Sequence, residues 1–353
     1  MIEKIVHDSY CKHTEKEMML LRLPFIIKRA AAAFGAAVML LSFSSCGKAE
    51  IHEIRTEHKT KVPPKMMYLG DSIAAGYGLE GYKKDDNYNC RSYSNILKEK
   101  YEHELEGECG HTMVNMAVSG YTSADLIAQI QSGELDSELK DSDAVVISIG
   151  GNDLLGILFG IIDSLGIKDI SSFDIKDIDF VSAGAALIGV GSDADKAIEQ
   201  FGVNMDTITA ELKKRTEGTI FVQTLYDPVA YYEQFSVLTD FAAQKILKLN
   251  NVISEKSANG YKVIDVASDF TGRAGELTNI KKMDIHPNEA GHQVIAEDVD
   301  KAFRAEGFSY VTTDEVKDEP SYGGILAVIC GIAGGAAILL AGIILLARKK
   351  SKK

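Results

Sequence analysis

The sequence predicts an α/β protein with a doubly wound, mainly parallel, five-stranded sheet and helices on both faces. Five short segments are apolar on consecutive residues, as expected for strands that are covered on both sides. Stretches with helical periodicity separate them, which is the order of elements in a parallel sheet. The length of 353 residues and the hydrophobic content of 46% allow a large buried core.

The predicted elements follow one another along the middle of the chain. The strands are Met66–Leu69, Thr112–Val118, Ala144–Ile149, Thr219–Leu225 and Tyr261–Val266. The helices between and after them include Ser123–Gln131, Ala194–Arg215, Val237–Lys256 and Asn288–Arg304. In the last helix Ile295, Val299 and Ala302 fall on one face, which can therefore pack on the sheet.

The C-terminal segment has the pattern of a membrane-spanning helix. Residues 323–347 carry no charge, and the run is longer than the about 20 apolar residues that a spanning helix needs. The basic tail at 348–353 is expected to stay in the cytoplasm, so the upstream domain is expected outside it. Gly331 and Gly335 form a small-xxx-small pair, which indicates a weak homodimer through this helix.

The N-terminal residues 1–46 have the order of a secretory leader. Lys28 and Arg29 precede the apolar run Ala30–Leu41, and small residues follow up to Cys46. These small residues resemble the lipobox of bacterial lipoproteins, which implies that Cys46 is a lipidation site. Both ends therefore predict a single-pass protein of the cell membrane whose main domain is extracytoplasmic.

Between the two ends, residues 65–308 are predicted to form one domain. The polar segments 47–64 and 309–322 are interpreted as a stalk and a linker. Inside the domain, residues 154–191 mix apolar runs with glycine and acidic residues. This segment is either a lid or acyl-chain pocket inserted beside the site, or an ordinary packed helical pair.

Charge and cysteine content exclude several classes of function. The net charge of −13 argues against a nucleic-acid partner, which would require clustered lysine and arginine. Cys90 and Cys109 in the outer domain are either one disulfide or two free thiols, because sequence alone does not fix the pairing. No metal-ligand spacing recurs, so no metal site is predicted.

Four short blocks at predicted strand or helix ends carry groups suited to nucleophilic catalysis. They are Gly70-Asp71-Ser72, Ser119-Gly120-Tyr121, Gly150-Gly151-Asn152-Asp153 and Asp284-Ile285-His286-Pro287-Asn288. A serine at a strand-to-helix turn lies near the positive end of a helix dipole, which favours a developing alkoxide. The N–H groups of Ser72 and Gly120 and the amide of Asn152 can stabilise an oxyanion, and His286 can take the serine proton.

These blocks resemble the SGNH hydrolases, a family named after the serine, glycine, asparagine and histidine of its four motifs. The resemblance covers residues 65–308 and includes Tyr226-Asp227-Pro228 and the pair Gly291-His292 after the last block. It implies a flavodoxin-like fold and hydrolysis of carboxylic esters through an acyl-enzyme, without a cofactor. It assigns Ser72 as nucleophile, Gly120 and Asn152 as oxyanion donors and His286 as base.

The third member of the triad departs from the family pattern. That pattern has an aspartate three residues before the histidine, where this chain has Met283, and Asp284 follows two residues before His286. Asp284 is therefore the predicted partner of the imidazole, with a backbone carbonyl as the alternative. Asp71 and Asp153 are predicted to support the site, although Asp153 equally fits a turn role.

The resulting functional hypothesis is a membrane-anchored serine ester hydrolase, a lipase or esterase. Lipid esters such as lysophospholipids fit a domain held close to a bilayer. A second hypothesis is removal of O-acetyl groups from cell-wall or dietary polysaccharide. A third, from another class, is a non-catalytic surface binding module on the same fold.

Overall fold

The computed structural model describes residues 51–105, 112–154, 180–233 and 236–317, together with Gly335, which is helical. The predicted leader with Cys46, most of the 154–191 segment, Cys109, Gly331 and the basic tail lie outside these residues, as does the rest of the predicted membrane helix. Within the described ranges, no helix is both long and apolar enough to cross a membrane.

The central element is a five-stranded parallel sheet, as the sequence predicts. Its strands are β2 (Lys65–Gly70), β3 (Thr112–Asn115), β4 (Ala144–Ser148), β5 (Thr219–Gln223) and β6 (Lys262–Ile264), in the spatial order β3-β2-β4-β5-β6. Counted within this sheet, the order is 2-1-3-4-5, the flavodoxin-like arrangement. The chain crosses from one side of β2 to the other after β3, so the crevice of this fold opens beyond the carboxyl end of β2.

Successive strand residues point to opposite faces, and each face has its own core. In β2, Met66 and Tyr68 pack in one cluster of buried side chains, whereas Met67 and Leu69 pack in another. The four are at most 1% exposed. The consecutive apolar residues of the strands are thus explained by burial on two sides.

Helices cover both faces. They are α1 (Ser72–Ala75), α2 (Tyr93–Glu104), α3 (Ser123–Ser132), α4 (Asp136–Asp141), α5 (Phe180–Lys213), α6 (Ser236–Lys256), α7 (Val266–Phe270), α8 (Ala274–Leu277) and α9 (Glu289–Glu306). Helices α2 and α9 contribute to the first core, and α3, α5 and α6 contribute to the second. Ile295 and Val299 of α9 are buried as predicted, and each such side chain stabilises the fold by roughly 1.5–3 kcal/mol.

Two features of the helices differ from the prediction. Helix α2 was not predicted, although Ser92 caps it and Tyr93, Leu97 and Tyr101 recur at four-residue spacing on its buried face. Helix α5 begins at Phe180 rather than near residue 194, so the end of the 154–191 segment is helical.

The polar segments on either side of the domain contain strands. Strands β1 (Ile51–Thr60) and β7 (Phe308–Lys317) form a separate two-stranded sheet, which the sequence did not predict. The His58 ring stacks on Tyr310 and shares a hydrogen bond with the Thr312 hydroxyl at 2.8 Å. Residues Thr56–Thr312 form one compact unit, which contains the whole five-stranded sheet, and the described residues 51–55 and 313–317 belong to a second unit.

Candidate active site

Three of the predicted site residues follow adjacent strands of the sheet. Ser72 follows β2, Gly120 follows β3 and Asn152 follows β4, and β2 lies between the other two strands. Backbone hydrogen bonds hold the strand ends in register, from Val118 N–H to the Gly70 carbonyl and from Asp71 N–H to the Ser148 carbonyl, both at 2.9 Å. The parallel topology therefore brings these residues to one edge of the sheet.

Each residue type in the Gly70-Asp71-Ser72 block is explained by a different structural requirement. Gly70 has φ +122°, and a Cβ there would lie 1.8 Å from the Ser148 carbonyl oxygen. Asp71 caps helix α1 by accepting a hydrogen bond from the Ile73 N–H at 3.1 Å. Ser72 is consequently the first residue of a helix, where its own N–H has no intrahelical acceptor.

Ser72, His286 and Asp284 form a continuous hydrogen-bonded chain. The Ser72 Oγ lies 2.9 Å from Nε2 of His286, and Nδ1 of His286 lies 2.5 Å from Oδ1 of Asp284. Asp284 Oδ1 also accepts the backbone N–H of His286 at 3.1 Å. The structure thus joins the three residues that the sequence proposed for a triad. This geometry suits proton transfer from Ser72 to an imidazole whose far nitrogen faces a carboxylate.

A residue in the left-handed backbone conformation directly precedes Asp284, which contacts the imidazole of His286. Met283 has φ +65°, the single positive φ among the described residues other than glycine. It ends the short 3₁₀ helix Ile280–Lys282 and reverses the chain just before Asp284. On the other side, Gly78 packs closely, since a Cβ there would lie 2.9 Å from the Asp284 carboxylate and 3.3 Å from Cβ of His286. The structure therefore brings Asp284, two residues before His286, into contact with the imidazole.

The groups predicted as oxyanion donors are accessible. Gly120 is exposed with φ +93°, and a Cβ built there would meet nothing within 4 Å. The Asn152 amide donates one hydrogen bond to the Tyr121 carbonyl at 2.9 Å, which fixes the side chain beside Gly120 and leaves its second N–H for a ligand. Two donors on neighbouring loops are thus held by direct contact between those loops.

Asp153 connects the same two loops through hydrogen bonds. Its carboxylate accepts the backbone N–H and the hydroxyl of Ser123 at 3.0 and 2.5 Å, and Ser123 begins helix α3. The Ser123 hydroxyl in turn accepts Nδ2 of Asn204 at 2.8 Å. Burial raises the pKa of Asp153. Asp153 therefore connects the loop that carries Asn152 to the helix that follows Gly120.

Asp71, which directly precedes Ser72, is buried. Its side chain is 1% exposed and accepts the Ser148 hydroxyl at 3.4 Å in addition to the cap bond. Burial outweighs these hydrogen bonds and raises the pKa of Asp71 to about 7. Asp71 is therefore the cap of the helix that Ser72 begins.

The residues after His286 hold the last block in place. Asn288 caps helix α9 by accepting the Gly291 N–H at 3.0 Å, and a Cβ on Gly291 would lie 2.1 Å from the Leu277 carbonyl oxygen. His292 is fully buried, and its Nδ1 accepts the backbone N–H of Tyr93 at 3.2 Å. Burial lowers the pKa of His292 to about 3, so this ring stays neutral and acts as a packing residue.

Two tyrosines that the sequence did not predict as site residues contact the loop that carries His286. Tyr226 donates its hydroxyl to the Ile285 carbonyl at 2.9 Å, next to His286. The Tyr77 ring lies 4.5 Å from the His286 ring, centroid to centroid, and is 42% exposed. The Tyr226-Asp227-Pro228 stretch was a signal for the first, whereas no local pattern distinguishes Tyr77.

The chain is similar in sequence to a known family and to two curated proteins. Residues 68–294 match the GDSL-like lipase/acylhydrolase family, which is more than half of the chain. The uncharacterized protein YpmR of Bacillus subtilis is 24% identical over 75% of this chain and 89% of its own length. The spore germination lipase LipC of Bacillus licheniformis is 23% identical over 65% of this chain and 91% of its own.

The fold is also found in an experimental structure. An extracellular lipase from Streptomyces rimosus superposes with a TM-score of 0.50 at 17% identity, over 67% of this chain and 99% of the lipase. The family match contains the blocks of Ser72, Gly120, Asn152 and His286, all of which lie between residues 68 and 294. The chain therefore belongs to the GDSL-like lipase/acylhydrolase family and is an ester-hydrolysing enzyme.

Proposed function

We propose that this enzyme hydrolyses fatty acyl esters through an acyl-enzyme on Ser72. In this mechanism His286 Nε2 takes the Ser72 proton as Oγ attacks the ester carbonyl carbon. The oxyanion accepts hydrogen bonds from the N–H groups of Ser72 and Gly120 and from the Asn152 amide. His286 then protonates the departing alkoxide, and water attacks the acyl-enzyme by the same path to release the acid.

The observation that supports a fatty acyl group is an apolar cleft beside the nucleophile. The cleft is partly open to solvent and is lined almost entirely by apolar side chains. It is lined by Ile73, Gly151, Leu154, Leu225, Tyr226, Pro228, Val229, Ile246 and Ile285. Its one hydroxyl, on Tyr226, is already bonded to a carbonyl. A cleft without free polar groups favours an alkyl chain over a sugar.

The cleft is lined by chain neighbours of three proposed site residues. Ile73 follows Ser72, Gly151 precedes Asn152 and Ile285 precedes His286 in the chain. An acyl chain that lies in this cleft therefore has its carbonyl end close to the nucleophile and the base. This arrangement supports the lipase or esterase hypothesis more than the polysaccharide O-acetylesterase hypothesis, which requires space for an acetyl group only.

The membrane location forms part of the proposal. The uncharged run 323–347, followed by a basic tail, supports a C-terminal anchor with the enzyme domain on the extracytoplasmic side. Protease treatment of intact cells tests this topology, with an epitope tag placed after Lys353. We expect loss of the enzyme domain and protection of the tag, and loss of both would contradict the proposed orientation.

A serine-reactive fluorophosphonate tests the chemistry directly. We expect stoichiometric labelling of the full-length chain at Ser72 and no labelling of the Ser72→Ala variant. Hydrolysis of p-nitrophenyl esters from acetate to laurate then tests the acyl group. No label on Ser72 would overturn the proposed mechanism, and a tenfold or greater preference for acetate over octanoate would favour the O-acetylesterase.

Two neighbouring residues of helix α6 provide a matched pair of variants. Ile246 lines the cleft, whereas Leu247 is 61% exposed on the same helix. Ile246→Phe fills the cleft, and a change of one or a few methylenes in such a site alters rates by roughly 10–200-fold. We expect this variant to lower kcat/KM for octanoate at least tenfold and to spare acetate, and Leu247→Phe to change neither. Equal effects of the two variants would argue against the cleft as the acyl site.

A further inference from the structure

We propose that the mouth of the active site docks on the lipid–water interface of the substrate, through a surface that we call the aromatic rim. The rim consists of Tyr77, Tyr231, Tyr232 and Met283 with Lys281 and Lys282. This inference rests on the proposed function, since it concerns how a lipid ester reaches Ser72. It adds a contact with the lipid surface itself that is separate from the acyl cleft.

The rim exposes large apolar side chains where a folded protein ordinarily buries them. Tyr77, Tyr231 and Met283 are 42%, 41% and 47% exposed. Tyrosine combines an apolar ring with a polar hydroxyl and is therefore enriched at lipid–water boundaries. A contiguous exposed patch of such residues at the entrance to a site marks a binding surface.

Contacts join four of the rim residues, namely Tyr231, Tyr232, Met283 and Lys281. The Tyr231 and Tyr232 rings lie 5.3 Å apart, and the Tyr232 hydroxyl lies 3.1 Å from Sδ of Met283. A Cβ built on Gly275 would lie 2.8 Å from the Tyr231 ring and 3.5 Å from Cε of Lys281, so these two side chains cross the same glycine. The absence of a side chain on Gly275 allows the ring and the lysine to pack side by side.

The rim is continuous with the catalytic residues and the cleft. Met283 precedes Asp284, whose carboxylate contacts His286, and the Tyr77 ring lies against the His286 ring at 4.5 Å. Val229 lines the cleft two residues before Tyr231. A lipid surface in contact with the rim therefore lies directly over the entrance through which an acyl chain must pass.

The charges around the rim favour a lipid surface with anionic headgroups. Lys281 and Lys282 are both exposed at the rim, whereas the chain as a whole carries a net charge of −13. Glu276 nearby is paired with Arg273 at 2.8 Å, which leaves Glu233, next to Tyr232, as an exposed acidic group that opposes them. Lysine stems extend along apolar surface and place their ammonium groups at headgroup level.

The absence of tryptophan from this chain permits a direct test. Tyr231→Trp introduces one emitter in the rim, and Val203→Trp introduces one at a site that is 56% exposed on helix α5, outside the rim. Both full-length variants are mixed with vesicles of phosphatidylcholine and phosphatidylglycerol at 3:1. We expect a blue shift at position 231, with quenching by brominated lipid, and neither effect at position 203. The tryptophan at position 203 also distinguishes docking through the rim from simple attachment by a membrane anchor, because an anchor would bring positions 203 and 231 equally close to the vesicle.

A second measurement links docking to turnover. Lys281→Glu with Lys282→Glu should lower hydrolysis of a long-chain umbelliferyl ester held in these vesicles at least about tenfold and leave soluble p-nitrophenyl butyrate unaffected. Lys59→Glu with Lys61→Glu is the control, at two exposed lysines for which the described residues show no ion pair, and should affect neither substrate. Normal butyrate turnover without quenching at position 231, or without loss on vesicles, would overturn the docking proposal alone. Absence of butyrate turnover in the wild type would instead overturn the proposed function.

Discussion

The contact between Asp284 and His286 leads to a specific expectation for Asp284→Asn. Oδ1 of Asp284 accepts both the backbone N–H of His286 at 3.1 Å and the ring Nδ1 at 2.5 Å. An asparagine retains an acceptor oxygen, and the backbone N–H favours that oxygen in the same position. The substitution therefore removes the negative charge and keeps the orientation of the ring.

The size of the effect follows from the kind of hydrogen bond that is changed. A bond to a charged group contributes about 1.5–3 kcal/mol and a neutral one about 0.5–1.5 kcal/mol. The Asp284 side chain is 31% exposed, so water screens part of the difference. We expect a loss of about 1–2 kcal/mol in transition-state stabilisation, or roughly 5–30-fold in kcat. Asp284→Ala removes the acceptor as well, so we expect it to be slower than Asp284→Asn.

The assay is the steady-state hydrolysis of p-nitrophenyl butyrate by the wild type, the two Asp284 variants and Ser72→Ala. Thermal denaturation in parallel ensures that all four chains are folded at the assay temperature. The expected order of kcat is wild type, Asp284→Asn, Asp284→Ala and Ser72→Ala. Asp284→Ala within twofold of the wild type would reduce the triad to a Ser72–His286 dyad. Asp284→Asn as slow as Ser72→Ala would refute the anchoring of the oxygen by the backbone N–H.

Two further expectations concern stability. Gly70→Ala places a Cβ 1.8 Å from the Ser148 carbonyl oxygen at φ +122° and should lower the free energy of unfolding, measured by urea denaturation, by more than about 3 kcal/mol. Gly120→Ala has open space around the new Cβ and should lower it by about 1–2 kcal/mol. Equal costs would contradict the close-approach argument. For Asp71 the folded pKa of about 7 is raised above the unfolded value, so the stability from its protonated form is lost as pH rises through about 7. Asp71→Asn keeps the cap and stays neutral, so its advantage over the wild type should grow from pH 5 to pH 8, and a constant difference would refute the assignment.

Much of the fold could be predicted because the determining signals are local. The strands of the sheet are runs of consecutive apolar residues, and burial of Met66 and Tyr68 on one face and Met67 and Leu69 on the other is the physical origin of that pattern. Helix α2 was missed because its buried residues recur among many polar ones, and the packing against α9 that stabilises it joins residues far apart in the chain.

The composition of the candidate site was also evident from short motifs. In the Gly70-Asp71-Ser72 block, Asp71 caps a helix and Ser72 begins it, and both are requirements that operate within a few residues. Gly70 meets a longer-range requirement, the close approach of the Ser148 carbonyl. The position of the acidic partner of His286, by contrast, departs from the family motif. Asp284 contacts the imidazole across a two-residue spacing, in a turn where Met283 adopts φ +65° and Gly78 packs beside the carboxylate.

The sequence by itself therefore determined the parallel α/β architecture and indicated Ser72, Gly120, Asn152 and His286 as candidate site residues, because periodicity and turn chemistry are properties of neighbouring residues. Only the tertiary structure decided which aspartate meets the imidazole, which apolar side chains line one cleft and that the Tyr77 ring packs against His286. These features depend on contacts between segments as distant as Gly78 and Asp284, and such contacts arise from packing of the whole sheet and its helices.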